Sequence, residues 1–309
     1  MRTRQSVLFS VVFFVTACGG GTSEVAPVSE EVTDKLVIYT VNYPLAYFAE
    51  RIGGDLVEVH FPAPADEDPA FWSPDADTIA AFQAADLILL NGAGYAKWVE
   101  RAALPSSRVV NTSGGFTDQL LPIEGTVTHS HGPEGEHEHA ELAFTTWLDP
   151  ELAIQQTQAI EAAISVVWPD NEPEIGQRME SLKSDLFDID GRLQVAAETL
   201  GNVPLLFSHP VYQYLINHYG LNGVEVHWEP DQVPDGHSWE HLQEVLENHQ
   251  ANWMLWEGEP LEATAAGLVE IGVESVVFDP CGNRPEEGDY LSVMATNAVA
   301  LEGLAVSIE

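Results

Sequence analysis

The chain has 309 residues, of which 45% are hydrophobic, so it can build a sizeable core in each of two lobes and is not a disordered protein. Its 49 acidic and 11 basic residues give a net charge of −38, which excludes nucleic acid as a partner because phosphates would be repelled. The acidic surface either serves solubility or salt adaptation, or it helps to collect cations.

The first residues read as a targeting segment. Arg2 and Arg4 precede the apolar run SVLFSVVFFV, which is too short to span a bilayer permanently. The sequence VTAC that ends at Cys18 resembles the bacterial lipobox, in which the peptide is cut before the cysteine and the new N-terminal residue carries lipid. We therefore expect residues 1–17 to be a lipoprotein signal peptide and 18–34 a flexible tether that anchors the body to a membrane face outside the cytoplasm.

After the tether, β-rich runs alternate with helical ones. In the first half the predicted strands are KLVIYTV, LVEVHF, DLILLNG and RVVNTS, and the predicted helices are PLAYFAERIGG, PDADTIAAFQAA and AKWVERAAL. The alternation restarts near residue 203 with the strands VPLLFS, VEVHW, WMLWE and SVVFDP and the helices YQYLINHYG, SWEHLQEVLENHQ, LEATAAGLVEIG and YLSVMATNAVALEGL. This predicts an α/β fold of two lobes, residues 35–170 and 201–309, each with a parallel sheet flanked by helices.

The segment between the lobes, residues 171–200, has helical periodicity. Apolar residues recur there every three or four positions, at Ile175, Met179, Leu182, Leu186, Ile189 and Leu193. We expect one long rigid helix of about 25 residues, or about 40 Å, that joins the two lobes.

Metal-ligating side chains follow several predicted strands, where ligands bind in open parallel sheets. They are His60 and Asp68 in the first lobe and His209, His227, Glu257 and Asp279 in the second. Imidazole and carboxylate are ordinary ligands of Zn²⁺, so the second lobe has the donors of a divalent metal site. Each residue alone is more often a polar residue at the start of a loop.

Five motifs carry a resemblance to a known family: TWLDPELA, SHPVYQYLINHYGL, WEGEP, VFDP and YLSVMATNAVAL. With them, residues 35–309 resemble the periplasmic zinc- and manganese-binding solute-binding lipoproteins of ABC importers, whose two lobes are joined by a rigid helix. The resemblance implies a monomer that is not an enzyme and that hands Zn²⁺ first, and Mn²⁺ second, to an ABC permease and its ATPase. It also implies that His209 and Asp279 are the two metal ligands of the second lobe.

The chain departs from this family at both ligands of the first lobe. Where the family reads Asp-Pro-His this chain has Ala70, and Thr145 stands where the family has histidine before the Trp-Leu-Asp-Pro motif. Three repairs are open. Asp68, His60 or Glu257 could turn toward the ion, or Cys281 could supply a thiolate, although it is more simply a small buried residue, or the ligand itself has changed.

The stretch THSHGPEGEHEHAE, residues 128–141, is a histidine-rich loop within the first lobe. Its glycines and proline argue against a fixed geometry. We interpret His129, His131, His137 and His139 as an accessory metal collector beside the primary site. The alternative is a solvated loop that binds transition metals only as a histidine tag does.

Two other functions remain open at this point. The same scaffold could bind an organic or chelated ligand after the loss of the first-lobe histidines. A zinc-dependent hydrolase is the second alternative, since three protein ligands and a water would permit hydrolysis. The sequence has no nucleophile elbow, Walker loop or H-E-x-x-H motif to support an enzyme.

Replacing Cys18 by alanine should release the protein from membranes or block its processing, because Cys18 is the only thiol in a lipobox context. Membrane fractionation and intact mass measure the two effects. Unchanged fractionation and mass would show that this segment is not a lipoprotein signal.

Overall fold

The computed structural model describes residues 35–123 and 142–306. The signal peptide, Cys18, the tether and the four histidines of the loop lie outside these ranges, so their assignments stay predictions.

The first lobe contains a four-stranded parallel sheet in the order β2-β1-β3-β4. Its strands are β1 (Leu36–Thr40), β2 (Val57–His60), β3 (Leu87–Leu90) and β4 (Val109–Asn111). The accompanying helices are α1 (Tyr43–Gly53), α2 (Ala76–Ala84) and α3 (Pro150–Val167). The predicted alternation is confirmed here.

The second lobe repeats the plan, with a parallel sheet in the order β6-β5-β7-β8. Its strands are β5 (Pro204–Phe207), β6 (Asn222–Glu225), β7 (Trp253–Trp256) and β8 (Glu274–Val277). The helices are α5 (Gln213–Tyr219), α6 (Gly236–Asn248), α7 (Glu262–Glu270) and α8 (Tyr290–Val306). Each sheet therefore collects four carboxyl strand ends at one edge, which is where its loops can bind a ligand.

The long helix α4 (Glu172–Leu200) runs between the two lobes. Its 29 residues give a length of about 44 Å. All six apolar residues of the predicted face are at most 8% exposed, because the 3.6-residue period keeps them on one side, where α4 packs against α1, α3 and α8. The single long helix expected from the sequence is confirmed.

Two local features differ from the sequence expectation. The helix α3 was not predicted, although Asp149 caps it by accepting hydrogen bonds from the backbone N–H groups of Glu151 and Leu152, and Pro150 fits its first turn. The predicted helix AKWVERAAL is only a 3-10 turn at Lys97–Arg101. The left-handed backbone of Ala96 (φ 56°) and Pro105 bound the segment and limit any helix to the residues between them.

Short 3-10 turns occupy several connections. They are Gly54–Leu56, Lys97–Arg101, Ser106–Arg108, Thr117–Gln119, Thr146–Leu148 and Pro169–Asn171. No helix within 35–123 or 142–306 is long and apolar enough to cross a membrane.

A half-buried imidazole joins the two lobes to the long helix. Nδ1 of His218 on α5 lies 3.2 Å from Oδ1 of Asp149, which caps α3, and Nε2 lies 3.1 Å from Oδ1 of Asp190 on α4. Tyr219 also donates a hydrogen bond of 3.0 Å to Asp190. The hydrogen bond to Asp149, opposed by burial, together with the charges of Asp149 and Asp190, raises the pKa of His218 to about 9.

Because the pKa of His218 is higher in the folded chain than the usual 6.5, its charged form stabilises the fold. This stabilisation is fully present below about pH 6.5 and is lost as the pH rises through about 9. Replacing His218 by glutamine should therefore lower the free energy of unfolding by on the order of 2–3 kcal/mol at pH 6, and by much less at pH 10. Urea denaturation of both proteins at the two pH values measures the difference.

The matched control is His241→Gln, because His241 is 57% exposed on α6 and lies 4.0 Å from Glu244. The control should change the free energy of unfolding little at either pH. Equal losses for His218→Gln at both pH values would contradict a role for the charge.

Candidate metal centre

Three side chains meet at the carboxyl edge of the second sheet. His209 follows β5, Glu257 directly follows β7, and Glu229 lies four residues after the end of β6. Since β6, β5 and β7 are neighbours in the sheet, the loops after them start side by side. Among the residues that the structure describes, this is the one group of three or more histidine, cysteine or acidic residues whose ligand atoms could hold a metal ion.

The geometry of this cluster suits a single cation. One ligand atom from each of the three residues lies within 4.8 Å of the other two. The two nearest contacts use opposite ring nitrogens of His209, with Nε2 3.3 Å from Oε1 of Glu229 and Nδ1 3.6 Å from Oε1 of Glu257, so a single ion would bind only one of these nitrogens. Atoms that bind one Zn²⁺ at about 2.0–2.2 Å are separated by no more than about 4.4 Å, so only a small adjustment would bring all three onto one ion.

Backbone pairing places Glu229 in the cluster. Beyond β6 the chain continues beside β5, with Val226 N–H donating to the Phe207 carbonyl and Trp228 N–H to the Ser208 carbonyl. Val226 and Trp228 are buried, so the alternation of an extended chain turns His227 and Glu229 to the opposite side. Glu229 was not among the ligands predicted from the sequence, although the alternating V-H-W-E pattern was a signal that could have found it.

The cluster disfavours two ionised carboxylates side by side when no cation is bound. Burial, and then the carboxylates of Glu229 and Asp68, raise the pKa of Glu257 to about 8. Burial lowers the pKa of His209, although Glu229 acts in the opposite direction, so the imidazole is held in the neutral form that binds metals. A divalent cation would compensate the charge of both glutamates and accept the imidazole nitrogen.

Asp279 lies beside the cluster, outside the group of three. It follows β8, which is two strands from β5 and so roughly 10 Å away in the sheet. Its Oδ1 accepts a hydrogen bond of 2.6 Å from the backbone N–H of Cys281. Asp279 is therefore not part of the group of three, although it lines the same cavity as Glu229 and Glu257, and its role as a ligand stays a prediction.

Cys281 is buried (1% exposed) and is also absent from the group, in keeping with the simpler interpretation of a small core residue. Burial raises the pKa of its thiol, which disfavours the thiolate that metals require.

The first lobe contributes a carboxylate to this cavity of about 260 Å³, which Asp68 and Thr145 both line. Asp68 accepts a hydrogen bond of 2.8 Å from the backbone N–H of Ala70. The hydroxyl of Thr145 donates to the carbonyl of Val211 in the second lobe, so it links the lobes. Ala70 and Thr145 are the two positions where the family has histidine. Ala70 has no side-chain atom that could bind a metal, and the Thr145 hydroxyl is engaged in a hydrogen bond.

His60 is not brought to the cluster. It pairs with Tyr39 in the register of β1 and β2, so the two side chains lie on the same face of the sheet, and their rings stack at 4.7 Å. Its Nε2 lies 3.0 Å from Oε1 of Glu58. In this arrangement the register directs the His60 ring to Tyr39, and a role of His60 as a metal ligand stays a prediction.

The family model for the periplasmic component A of the zinc-uptake complex, ZnuA, matches residues 38–303. The chain belongs to this family. It is 29% identical over 317 residues to the high-affinity zinc uptake system protein ZnuA of Bacillus subtilis, with 96% of this chain and 95% of that protein covered. It is 26% identical over 300 residues to the zinc-binding lipoprotein AdcA of Streptococcus pneumoniae, with 94% of this chain covered but only 58% of AdcA.

The manganese ABC transporter substrate-binding lipoprotein PsaA of Streptococcus pneumoniae is a further relative of this ZnuA-family chain. The two are 25% identical over 245 residues, which cover 75% of this chain and 72% of PsaA. Among solved structures, the metal-dependent lipoprotein YcdH of Bacillus subtilis superposes with a TM-score of 0.74 at 25% identity, covering 87% of this chain and 98% of YcdH. The two-lobed fold with its long middle helix is thus the fold of the ZnuA family.

If the cluster rather than the family pattern sets affinity, Glu229 should matter more than Asp279. We expect Glu229→Gln to weaken zinc binding at least tenfold, about 1.4 kcal/mol, and Asp279→Asn to weaken it less, because Glu229 lies 3.3 Å from His209 and Asp279 stands two strands away. Competition with a chromophoric zinc chelator measures both. A larger loss for Asp279→Asn would show that the ion sits nearer β8.

Proposed function

We propose that this protein captures a divalent transition metal, zinc first and manganese second, outside the cytoplasm and delivers it to an ABC permease and its ATPase. The observation that carries the proposal is the convergence of His209, Glu229 and Glu257 to within 4.8 Å at the carboxyl edge of the second sheet. Membership of the ZnuA family and the zinc- and manganese-binding relatives support the same cargo.

The donor set supports zinc with room for manganese. One imidazole and two carboxylates are three of the four ligands of a tetrahedral zinc site, and Asp68 or Asp279, which line the same cavity, supplies the fourth. A set dominated by carboxylate oxygens also suits Mn²⁺, which prefers hard ligands. The two missing first-lobe histidines are thereby replaced by acidic residues, and Glu257 becomes a direct ligand.

Capture and release follow from where the donors lie. The second lobe holds the ion, and Asp68 approaches it from the first lobe. Docking on the permease that moves the lobes apart would withdraw the Asp68 carboxylate and weaken the site before the ion is handed over.

We place the protein on the outer face of a membrane, anchored as a monomer through lipid on Cys18. The relatives AdcA and PsaA are named lipoproteins, which supports the anchor expected from the VTAC sequence. The loop histidines His129, His131, His137 and His139 fit this function as an accessory metal collector, outside the described residues.

The two alternative functions gain no support. The family is a substrate-binding component of a transporter, and the relatives are named for metal binding and uptake, not for hydrolysis or for an organic ligand.

The test is zinc affinity in the full chain. Replacing His209 by alanine should weaken high-affinity zinc binding at least tenfold, about 1.4 kcal/mol, because the imidazole is the donor between the two glutamates. A tight competing chelator keeps weaker ions on the histidine-rich loop out of the readout. Native mass spectrometry of protein purified without added metal or chelator identifies the ion it carries.

The control is His241→Ala, which removes an exposed imidazole from the same lobe and should leave the affinity unchanged. Zinc affinity that is indifferent to His209 would mean that this chain keeps the importer scaffold without its metal. An organic molecule found in the native mass spectrum would favour the chelated-ligand alternative instead.

A further inference from the structure

His227 lies beside the cluster without being part of it. It is exposed to solvent, and its ring is perpendicular to that of His209 with 6.3 Å between the ring centroids. It shares one side of the extended segment with Glu229, while Val226 and Trp228 point into the core. His227 is not one of the three residues that could hold the inner ion, so its position beside them has a different explanation.

Two neighbouring cavities share one wall. The inner cavity, of about 260 Å³, is lined by Glu229, Glu257, Asp68 and Asp279 among others. The outer cavity, of about 210 Å³, contains His227 and Glu229 in its wall. Glu229 is the residue common to the two linings.

Glu229 is also the donor that reaches furthest toward solvent. Its side chain is 40% exposed, whereas His209 and Glu257 are 21% and 23% exposed. A carboxylate with two oxygens can bind an ion on one side and pass it to the other without leaving its own position, provided that the next donor is close. His209 Nε2, at 3.3 Å, is that donor.

Resting on the proposed function, the geometry points to an outer cation position made by His227 and Glu229, through which zinc reaches the inner cluster. His227 takes the ion from solvent, Glu229 holds it next, and His209 with Glu257 completes its binding. The chemistry of recognition is that of a zinc-type divalent cation, since the donors are an imidazole and a carboxylate.

The outer position is weak, and this suits a transit site. Asp235 also lines the outer cavity, but its Oδ1 caps α6 by accepting hydrogen bonds from the backbone N–H and the hydroxyl of Ser238, both at 2.8 Å. The imidazole and carboxylate donors of this lining that do not cap a helix are His227 and Glu229, which is short of the four ligands of a tight zinc site. An ion bound weakly there moves on to the inner cluster.

This position predicts a kinetic signature. A side chain that contacts the ion only during entry and exit changes the free-energy barrier to binding. It does not change the free energies of the free and the fully bound protein. Replacing His227 by glutamine should therefore slow association and dissociation of zinc by the same factor, at least about threefold, and leave Kd within about twofold of the unchanged protein. Stopped-flow mixing of the full chain with zinc and a fluorescent zinc indicator measures association. Mixing of the loaded protein with excess chelator measures dissociation.

Two further variants separate a ligand role from other effects. His227→Glu keeps a cation ligand and should restore both rates, whereas a merely structural role of the imidazole would not be rescued. His241→Gln removes an exposed imidazole of the same lobe, retains the histidine-rich loop, and should behave as the unchanged protein.

Three results would overturn the outer position. Unchanged rates in His227→Gln overturn the outer position. Faster dissociation with unchanged association, and hence a weaker Kd, also overturns it, because His227 would then be a ligand of the inner ion. If His209→Ala leaves the zinc affinity unchanged, the proposed function is wrong and the outer position is wrong with it. If only His227→Gln has no effect, the outer position alone is wrong.

Discussion

The order of strands in the second sheet is the constraint on which the metal centre depends. Because β6, β5 and β7 are adjacent, the chain leaves three neighbouring strands at one edge and brings His209, Glu229 and Glu257 together. The fourth strand, β8, lies beyond β7, so Asp279 approaches from the side. The same parallel pairing forces a helical crossover after each strand, which is why the loops at this edge are fixed at both ends.

The charge of the centre is tied to its burial. Carboxylates that are removed from water and placed next to one another resist ionisation, as the raised pKa of Glu257 shows. A site of this kind is unfavourable on its own and becomes favourable when a cation joins it. The rest of the fold contributes the stability that keeps these residues in place, above all through the buried face of α4 and the links from His218 to Asp149 and Asp190.

Much of the fold, but less of the site, could be predicted from the sequence. Periodicity alone predicted the buried face of α4, since a helix keeps every third or fourth residue on one side. Strand-end positions predicted His209 and Glu257, which the structure brings close to Glu229. They could not show which strands are neighbours, so the distance from Asp279 to His209 could not be predicted. The direction of His60 could not be predicted, because it depends on the register of β2 with Tyr39 on β1. Glu229 was missed because the extended chain continues past the last residue of β6.

Because three of the metal-ligating side chains lie in one lobe, binding of the ion is only weakly coupled to closure of the two lobes. In a binding protein whose metal-ligating residues are divided equally between the lobes, the ion holds the two lobes together. Closure of the lobes then indicates that the ion is bound. Here three donors belong to the second lobe and Asp68 alone approaches from the first, so opening of the lobes would weaken the binding of the ion while leaving most of its donors in place. A permease that must tell a loaded carrier from an empty one would then have to sense the local electrostatic potential at the mouth of the cleft, where two positive charges arrive, in place of a change in outline.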